Sequence, residues 1–211
     1  MLVSVENASF SYGDNLIFKD VSFTIHEGER IGLIGANGEG KTTLIKLICR
    51  EYSPDFGTVT LKSGAKIGYL EQNGGYSVSN TVFAEMLEVF KEELSAVDRL
   101  EKLSAKLALI SPNEREYAVV STQIESLNKF IASRDCYNAE VRIKTVLNGM
   151  GFADKYEQNI DTMSGGEKTR LKLARLLLEQ PDMLILDEPT NHLDIATLYW
   201  LEDYLKTFKG A

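Results

Sequence analysis

The first 25 residues alternate between apolar and polar side chains. From Leu2 to Thr24 this period of two predicts an antiparallel hairpin, with Gly13-Asp14-Asn15 as its turn. Four short apolar or β-branched runs predict further strands, at Arg30 to Ile34, Thr58 to Leu61, Lys66 to Leu70 and Met183 to Leu186. The first and last of these are nearly all apolar, which is typical of central parallel strands. Helix-compatible stretches separate the first of these runs from the later strands, so we expect an α/β layered core.

The middle of the chain has a helical period instead. Between Thr81 and Ile110, apolar residues recur at steps of three and four, which predicts one long amphipathic helix. Ser111 to Glu114 has the order of a capping box with a proline, so a second helix should begin there. We expect these helices to form an antiparallel hairpin, which serves either packing within a lobe or recognition of a partner. A third helix, about Ala139 to Met150, should end at Gly151.

Length, composition and charge limit the class of protein to which the chain can belong. The chain has 211 residues, of which 44% are hydrophobic, enough for one large domain or a domain with a helical lobe. A net charge of -8 argues against a surface that neutralises nucleic acid over its whole area and leaves room only for a local basic patch. Cys49 and Cys136 lack metal-ligand or paired spacing. Without a leader or a long apolar stretch, the sequence predicts a cytoplasmic protein with no membrane span of its own.

A phosphate-binding pattern follows the predicted strand at Arg30 to Ile34. Gly35 to Thr42 fits G-x-x-x-x-G-K-[ST]. Its three glycines let the backbone curl so that N–H groups point at phosphate oxygens, and the following helix adds a positive dipole. Lys41 would reach the outer phosphates and Thr42 a magnesium ion. The segment therefore predicts a nucleotide-binding protein.

Two acids follow the last predicted strand. Asp187 would hold the magnesium ion, directly or through water, and Glu188 would polarise the attacking water as general base. Paired acids at a strand end are often only solvated loop residues. Because phosphoryl transfer needs both a phosphate cradle and a metal site, the phosphate loop makes the catalytic interpretation the favoured one.

A third motif occupies Met163 to Glu167. Ser164 and Glu167 form a capping box for a helix that runs to Gln180, before Pro181. The motif is either simply a well-capped helix or a site at which bare N–H groups and a hydroxyl bind the γ-phosphate presented by another nucleotide-binding unit.

With these three motifs in this order, the chain resembles the ATP-binding-cassette (ABC) ATPases over essentially its whole length. The resemblance implies the α/β fold of an ABC nucleotide-binding domain, with a parallel-sheet P-loop core, an antiparallel β subdomain and a helical lobe that carries an inserted hairpin. It implies a single domain over 1–211: residues 1–72 would form the β subdomain and P-loop core, 73–163 the helical lobe, and 164–211 the signature helix, Walker B strand and D-loop.

The resemblance also implies roles for single residues. Gln72 matches the Q-loop glutamine, and Asn191 to Asp194 match the D-loop. Tyr12 lies where the family places a ring that stacks on adenine, although it would also suit the surface of the hairpin. Catalysis is assigned to Glu188, Lys41 and Gln72, and Mg²⁺ binding to Thr42, Gln72 and Asp187. ATP binding is assigned to Tyr12, Gly35, Asn37, Gly38, Gly40, Lys41, Thr42, Thr43, Ser164, Gly165 and Gly166.

Three details resemble the ABC-F subfamily. Asp187 to Asp194 reads DEPTNHLD, Glu167 stands where transporter subunits usually carry glutamine, and the interval between Gln72 and Ser164 has room for the ABC-F arm. The resemblance implies a cassette that binds and hydrolyses ATP, pairs with a second ABC cassette and acts on the ribosome in translation or antibiotic resistance. The alternatives are an ATP-binding subunit that grips a membrane permease and a chromosome or repair ATPase, which usually carries a longer coiled coil.

One family feature is missing from the chain. The family requires a switch histidine beyond the D-loop, and neither His26 nor His192 is placed for it. We therefore expect a fragment, the first cassette of a longer protein, that binds ATP weakly and hydrolyses it poorly. Brisk hydrolysis by this chain alone that depends on Glu188 would contradict this expectation.

Overall fold

The computed structural model describes residues 1–70 and 80–211. Its contacts divide the chain into two compact units. The first unit comprises Met1–Gly75 with Glu179–Ala211, and the second comprises Tyr76–Leu178. The described strands are β1 (Val3–Tyr12), β2 (Asn15–Ile25), β3 (Phe56–Leu61), β4 (Ile67–Tyr69) and β5 (Met183–Ile185). The described α-helices are α1 (Lys41–Ile48), α2 (Val82–Leu87), α3 (Lys91–Leu107), α4 (Arg115–Arg134), α5 (Ala139–Gly149), α6 (Gly165–Glu179) and α7 (Ile195–Thr207).

An antiparallel sheet opens the first unit. β1 and β2 pair with Tyr12 opposite Asn15, across a two-residue turn in which Gly13 has a φ of +58°. This left-handed backbone suits tight hairpin turns, and glycine adopts it without steric cost. β3 pairs with the other edge of β1, which gives the order β2-β1-β3. The predicted hairpin and the predicted strand at Thr58 to Leu61 are thus confirmed.

A short parallel sheet lies in the same unit. β4 and β5 pair in parallel, with Ile67 opposite Met183 and Tyr69 opposite Ile185, which confirms both predicted strands. Buried apolar residues from β1, β2, α1 and β5 form one cluster. Its members are Leu2, Val3, Val5, Ala8, Ile25, Ile45, Ile48, Met183 and Ile185. The helix after the phosphate loop and the strand before the two acids therefore share one core.

The predicted central strand at Arg30 to Ile34 is wrong. No strand is formed there, and Ile31 and Ile34 are 59% and 95% exposed. A strand requires backbone hydrogen bonds from neighbours, and within residues 1–70 and 80–211 none of the strands pairs with this segment. Its apolar composition alone cannot supply them.

The second unit contains the predicted hairpin. α3 and α4 run antiparallel. This orientation is seen from two contacts: Lys106 forms an ion pair with Glu116 at one end (2.5 Å), and Arg134 lies 3.5 Å from Glu93 at the other. Ala96 and Leu100 of α3, Ile131 of α4 and Cys136, which follows α4, form one buried cluster. The third predicted helix is also confirmed, as α5, which is followed by Gly151 with a φ of +78°.

The single long helix predicted from Thr81 to Ile110 is wrong. α2 ends at Leu87, a 3₁₀ turn follows over Glu88–Phe90, and α3 begins at Lys91. Phe90 is only 3% exposed, and the Arg142 guanidinium lies 4.8 Å from its ring centre. Burial of this ring against α5 accompanies the break, so tertiary packing overrides a continuous helical period.

The start predicted for the second helix is also wrong. α4 begins at Arg115, four residues after Ser111. The Ser111 N–H does donate to the Glu114 carboxylate at 3.3 Å, as in a capping box, but the backbone of Glu114 is extended (φ −81°, ψ 142°). The contact therefore closes a turn at the tip of the hairpin. In the described residues, no helix has both the length and the apolar composition to span a membrane.

Candidate functional site

The loop before α1 depends on one glycine in particular. Gly40 caps the helix with a left-handed backbone (φ 87°, ψ 11°). A Cβ at this position would lie 2.4 Å from Cγ2 of Ile17 on β2. The backbone angle would strain a side chain and the contact would force Ile17 to shift, so the tight entry into α1 favours glycine here.

A cavity of about 450 Å³ opens beside this loop. Such a volume is in the range of small-molecule binding sites. Nine of the predicted site residues line it: Tyr12, Asn37, Gly38, Gly40, Lys41, Thr42, Thr43, Asp187 and Glu188. The phosphate loop and the two acids after β5, which are far apart in sequence, thus line one cavity.

Two predicted magnesium ligands touch each other. The Thr42 hydroxyl donates to Oδ2 of Asp187 at 3.0 Å. Among the described residues no cluster of three or more histidines, cysteines and acids is present to bind a metal by itself. Mg²⁺ usually keeps several waters and binds through one or two carboxylates plus substrate phosphates. One hydroxyl and one carboxylate beside a phosphate loop match this type of coordination.

Charged side chains of the loop fold onto its own backbone. The Lys41 ammonium donates to the carbonyl oxygens of Gly35 (2.7 Å) and Ala36 (2.8 Å). The Glu39 carboxylate accepts the Ala36 N–H at 2.8 Å. One loop N–H is therefore bound by an internal anion, and the ammonium is bound by neutral acceptors.

Tyr12 lines the cavity and belongs to an aromatic cluster. The Tyr12 ring is 48% exposed and meets the rings of Phe10 and Tyr52 edge-on, at 5.1 Å and 6.1 Å between ring centres. A hydrogen bond with the Thr43 side chain, and a second one with Tyr52, lower the pKa of the Tyr12 phenol. Tyr12 is thus tethered to the helix that follows the loop and keeps half of its surface exposed.

The second acid after β5 has an unusual backbone conformation. Glu188 has a left-handed conformation (φ 48°, ψ 53°) and precedes the 3₁₀ turn Pro189–His192. For a residue with a side chain this conformation is strained, and such strain often occurs at functional sites. The segment then ends at Asp194, whose carboxylate caps α7 by accepting the Thr197 N–H at 2.8 Å.

Ser164 to Glu167, which match the family's signature motif, lie in the second unit. Ser164 precedes α6, which begins with Gly165 and Gly166. The predicted capping box is formed: Glu167 accepts the Ser164 N–H at 2.9 Å, and the Glu167 N–H donates to the Ser164 hydroxyl oxygen at 3.3 Å. Gln72 lies outside the described residues.

Glu167 is held as a carboxylate. The Lys155 ammonium, 2.5 Å away, is the main cause, and the Ser164 N–H and hydroxyl add to it; together they lower the pKa of Glu167 to about 2. The negative charge therefore persists at any physiological pH, directly beside the helix N-terminus.

Replacement of Glu167 by glutamine should make the free energy of unfolding less dependent on pH. A carboxylate with a lowered pKa stabilises the fold fully above its usual pKa and loses that effect as pH falls from about 4.5 to about 2. Because the Lys155–Glu167 ion pair is partly exposed, we expect Glu167→Gln to lower the free energy of unfolding by about 1 kcal/mol at neutral pH. Near pH 2 the substitution should lower it by almost nothing. Urea unfolding of both proteins at several pH values measures this gap in their free energies of unfolding. A gap that is independent of pH would contradict the ion pair; Glu101→Gln on α3 is the control.

Sequence reasoning missed four residues of the site. Ile17, Lys46 and Tyr69 line the cavity, and Glu39 folds into the loop. A signal existed for Lys46, which lies one helical turn beyond Thr42 and so shares its face of α1. Ile17 and Tyr69 reach the cavity only through sheet pairing.

Comparison with known proteins shows the family to which this chain belongs. The sequence profile of the family described as "ABC transporter" matches residues 18–191. The chain is 34% identical to "ABC transporter F family member 5" of Arabidopsis thaliana, over 97% of this chain and 30% of the relative. It is 34% identical to "Energy-dependent translational throttle protein EttA" of Haemophilus influenzae (92% of this chain, 34% of the relative). It is 35% identical to "Tylosin resistance ATP-binding protein TlrC" of Streptomyces fradiae (99% and 38%).

Solved structures agree on the fold. "Structure of ATP binding subunit of ABC transporter" superposes with a TM-score of 0.65 at 21% identity, and covers 99% of this chain and 75% of that one. The curated relatives are longer, and this chain spans about a third of their length. The expected α/β fold of an ABC nucleotide-binding domain is confirmed. With a profile match over most of its length, the chain belongs to the ATP-binding-cassette (ABC) family of ATPases.

Proposed function

We propose that the first unit binds ATP with Mg²⁺ in the cavity beside α1 and hydrolyses its γ-phosphate. One observation carries the proposal: the Thr42 hydroxyl and the Asp187 carboxylate meet at 3.0 Å in the cavity that Lys41 also lines. This combination supplies oxygen ligands for a cation and a positive charge for phosphates in one place. Cassettes of this family bind ATP and hydrolyse it, so the chemistry fits the family.

The residues have separate tasks in this proposal. The loop N–H groups and Lys41 bind the phosphates, and Thr42 with Asp187 would hold Mg²⁺, which neutralises charge on the phosphate oxygens when it is bound. Glu188 orients the attacking water and accepts its proton during in-line attack at phosphorus. Tyr12 offers its exposed ring to adenine. Gln72 joins the catalytic and metal-binding set in the proposal.

Calorimetric titration of the purified chain with Mg-ATP tests this function. We expect saturable binding that weakens when EDTA removes the cation, because part of the affinity passes through Asp187. GTP in place of ATP tests how far the ring of Tyr12 selects the base. Absence of any heat of binding at millimolar nucleotide would overturn the proposal.

Glu39 gives a prediction about affinity. Its carboxylate binds the Ala36 N–H inside the loop and repels incoming phosphates. We expect Glu39→Gln to tighten ATP binding by about threefold to tenfold, since about 1 kcal/mol of internal competition and repulsion is removed. Titrations of the two proteins at equal salt measure the change. Weaker binding by the variant would show that the carboxylate supports the loop instead; Glu125→Gln on α4 is the control.

The whole protein's role is proposed from the relatives. The name of EttA describes a translational throttle protein, and that of TlrC describes tylosin resistance. Together with the ABC-F relative and the α3–α4 hairpin, they support a cytoplasmic ABC-F cassette that works with a second cassette and acts on the ribosome, in translation or antibiotic resistance. Residues Ser164, Gly165 and Gly166 would then contact the γ-phosphate bound by that second cassette.

A transporter role is the second candidate, because a superposed structure is the ATP-binding subunit of a transporter. The two candidates differ in partner. A tagged chain expressed in cells should co-sediment with ribosomes if it is ABC-F-like, and should co-purify with a membrane permease if it is a transporter subunit. Deletion of the α3–α4 tip, residues 105–118, should abolish the first association and leave ATP binding intact.

A further inference from the structure

One charged side chain of the candidate cavity has no part in the proposed hydrolysis. Within the described residues, the charged side chains that line the cavity are Lys41, Lys46, Asp187 and Glu188. The first of these acts on the phosphates, and the two acids act on the cation and the attacking water. Lys46 is therefore the charged group left for another part of the nucleotide, the ribose or the base.

Lys46 lies beyond the phosphate loop along α1. It follows Thr42 by four residues and Thr43 by three, so the three side chains share one face of the helix. An α-helix rises about 1.5 Å per residue, which puts Lys46 roughly 6 Å farther from the loop than Thr42. The Thr43 side chain is hydrogen-bonded to the phenol of Tyr12. Lys46 and Tyr12 thus line the same end of the cavity, where the base would stack.

Two neighbours hold the Lys46 ammonium beside Tyr12. The ammonium nitrogen lies 5.6 Å from the centre of the Tyr52 ring, a cation–π distance, and the Tyr52 ring meets that of Tyr12 edge-on. The Glu51 carboxylate lies 3.7 Å from the ammonium, beyond the reach of a hydrogen bond. The hydrogen bond with Thr43 is the largest cause of the lowered pKa of the Tyr12 phenol, and the charge of Lys46 adds to it. The ammonium is thus close to the stacking ring, and neither neighbour takes up its N–H donors.

The chemistry of a lysine side chain distinguishes the purine bases. An ammonium offers three donors and no acceptor, so it binds a base edge that carries acceptors. Guanine presents two acceptors on one edge, N7 and O6, whereas adenine presents N7 beside the N6 amine, which is itself a donor. A lysine that faces this edge binds both acceptors of guanine and places its charge against the amine of adenine. Hypoxanthine, the base of ITP, has the same N7 and O6 edge as guanine.

We propose that Lys46 makes this site select purine triphosphates with an oxygen at position 6, so that GTP and ITP bind more tightly than ATP. The base stacks on the Tyr12 ring, with its N7 and O6 edge toward the ammonium. This assignment rests on the proposed function, nucleotide binding in the cavity, and adds the residue that distinguishes one base from another. The phosphate contacts favour none of the three nucleotides, because all three carry the same triphosphate.

Calorimetric titrations of Mg-ATP, Mg-GTP and Mg-ITP into the unaltered chain and its Lys46→Met variant test the proposal. Methionine is an unbranched, flexible side chain without the charge, so the variant removes the donors and keeps most of the packing. ITP is the decisive probe, because it carries the oxygen at position 6 and lacks the 2-amino group of guanine. Lys129→Met is the control, since it removes an exposed lysine of α4 in the second unit.

We expect the unaltered chain to bind GTP and ITP about threefold to tenfold more tightly than ATP. Lys46→Met should weaken binding of GTP and ITP about tenfold and that of ATP about threefold or less, and Lys129→Met should weaken none of them. Equal weakening of all three nucleotides in Lys46→Met would overturn the proposal, because Lys46 would then contact the ribose or the phosphates. Unchanged affinities in that variant would overturn it too. Absence of binding by all three nucleotides to the unaltered chain would overturn the proposed function and this inference with it.

Discussion

Replacement of Lys41 by alanine is expected to reduce Mg-ATP affinity about a hundredfold or more, which amounts to loss of binding in practice. The ammonium lies at the start of α1 and lines the cavity. Two opposite unit charges near a protein surface attract each other by several kcal/mol at contact distance, and the nucleotide brings several negative charges. Within residues 1–70 and 80–211 the ammonium donates to neutral acceptors, the carbonyls of Gly35 and Ala36, so transfer to a phosphate would give it a charged partner.

Calorimetry on the variant, with circular dichroism to confirm its fold, measures the effect. Lys46→Ala is the matched control: Lys46 lines the same cavity but lies 5.6 Å from the Tyr52 ring, and its loss should cost about tenfold or less. Binding by Lys41→Ala within about threefold of the unaltered chain would contradict the assigned role.

The candidate site was largely predictable because its residues come from short contiguous motifs. The phosphate loop requires glycines and a lysine at fixed spacing, and the structure explains one of them: Gly40 has a left-handed backbone, and a Cβ there would lie too close to Ile17. The internal contact of Glu39 was not predictable, because it depends on how the carboxylate folds back onto Ala36. Motif spacing gives the position of a residue in the chain and leaves its current hydrogen-bond partner undetermined.

The errors in the fold have a common physical cause. Arg30 to Ile34 and Thr81 to Ile110 were interpreted from their own periodicity, yet each outcome depends on distant partners. The first segment has no pairing strand within the part of the chain that the structure describes. The second breaks where Phe90 is buried beneath Arg142. The β1–β2 hairpin was predicted correctly because its turn and its pairing lie within one local stretch.

The same distinction applies to the capping boxes. Ser164 and Glu167 close their box at the start of α6, where Lys155 also binds the carboxylate. Ser111 and Glu114 make one of the same contacts and yet precede a turn. The second pair lies at the tip of a helical hairpin, where the chain must reverse before α4 can begin. Local sequence specifies the hydrogen bond, and the chain path decides whether a helix follows directly.

Glu188→Gln is expected to abolish hydrolysis and to leave ATP binding within about threefold of the unaltered chain. The amide has the same shape as the carboxylate and cannot accept the proton of the attacking water, and loss of a general base costs about a hundredfold to ten-thousandfold in rate. Glu188 lines the cavity with Lys41 and Asp187, beside the proposed ligands of the phosphates and of the cation.

Single-turnover assays, with the chain in excess over labelled Mg-ATP, separate the two effects, because binding is measured by titration and cleavage by release of phosphate. Asp203→Asn is the matched control, since it removes an exposed acid of α7 that pairs with Lys206 away from the cavity. Its cleavage rate should equal that of the unaltered chain. Unchanged cleavage by Glu188→Gln would assign the base elsewhere, whereas equal loss of binding and cleavage would mean that Glu188 shapes the cavity through its left-handed backbone.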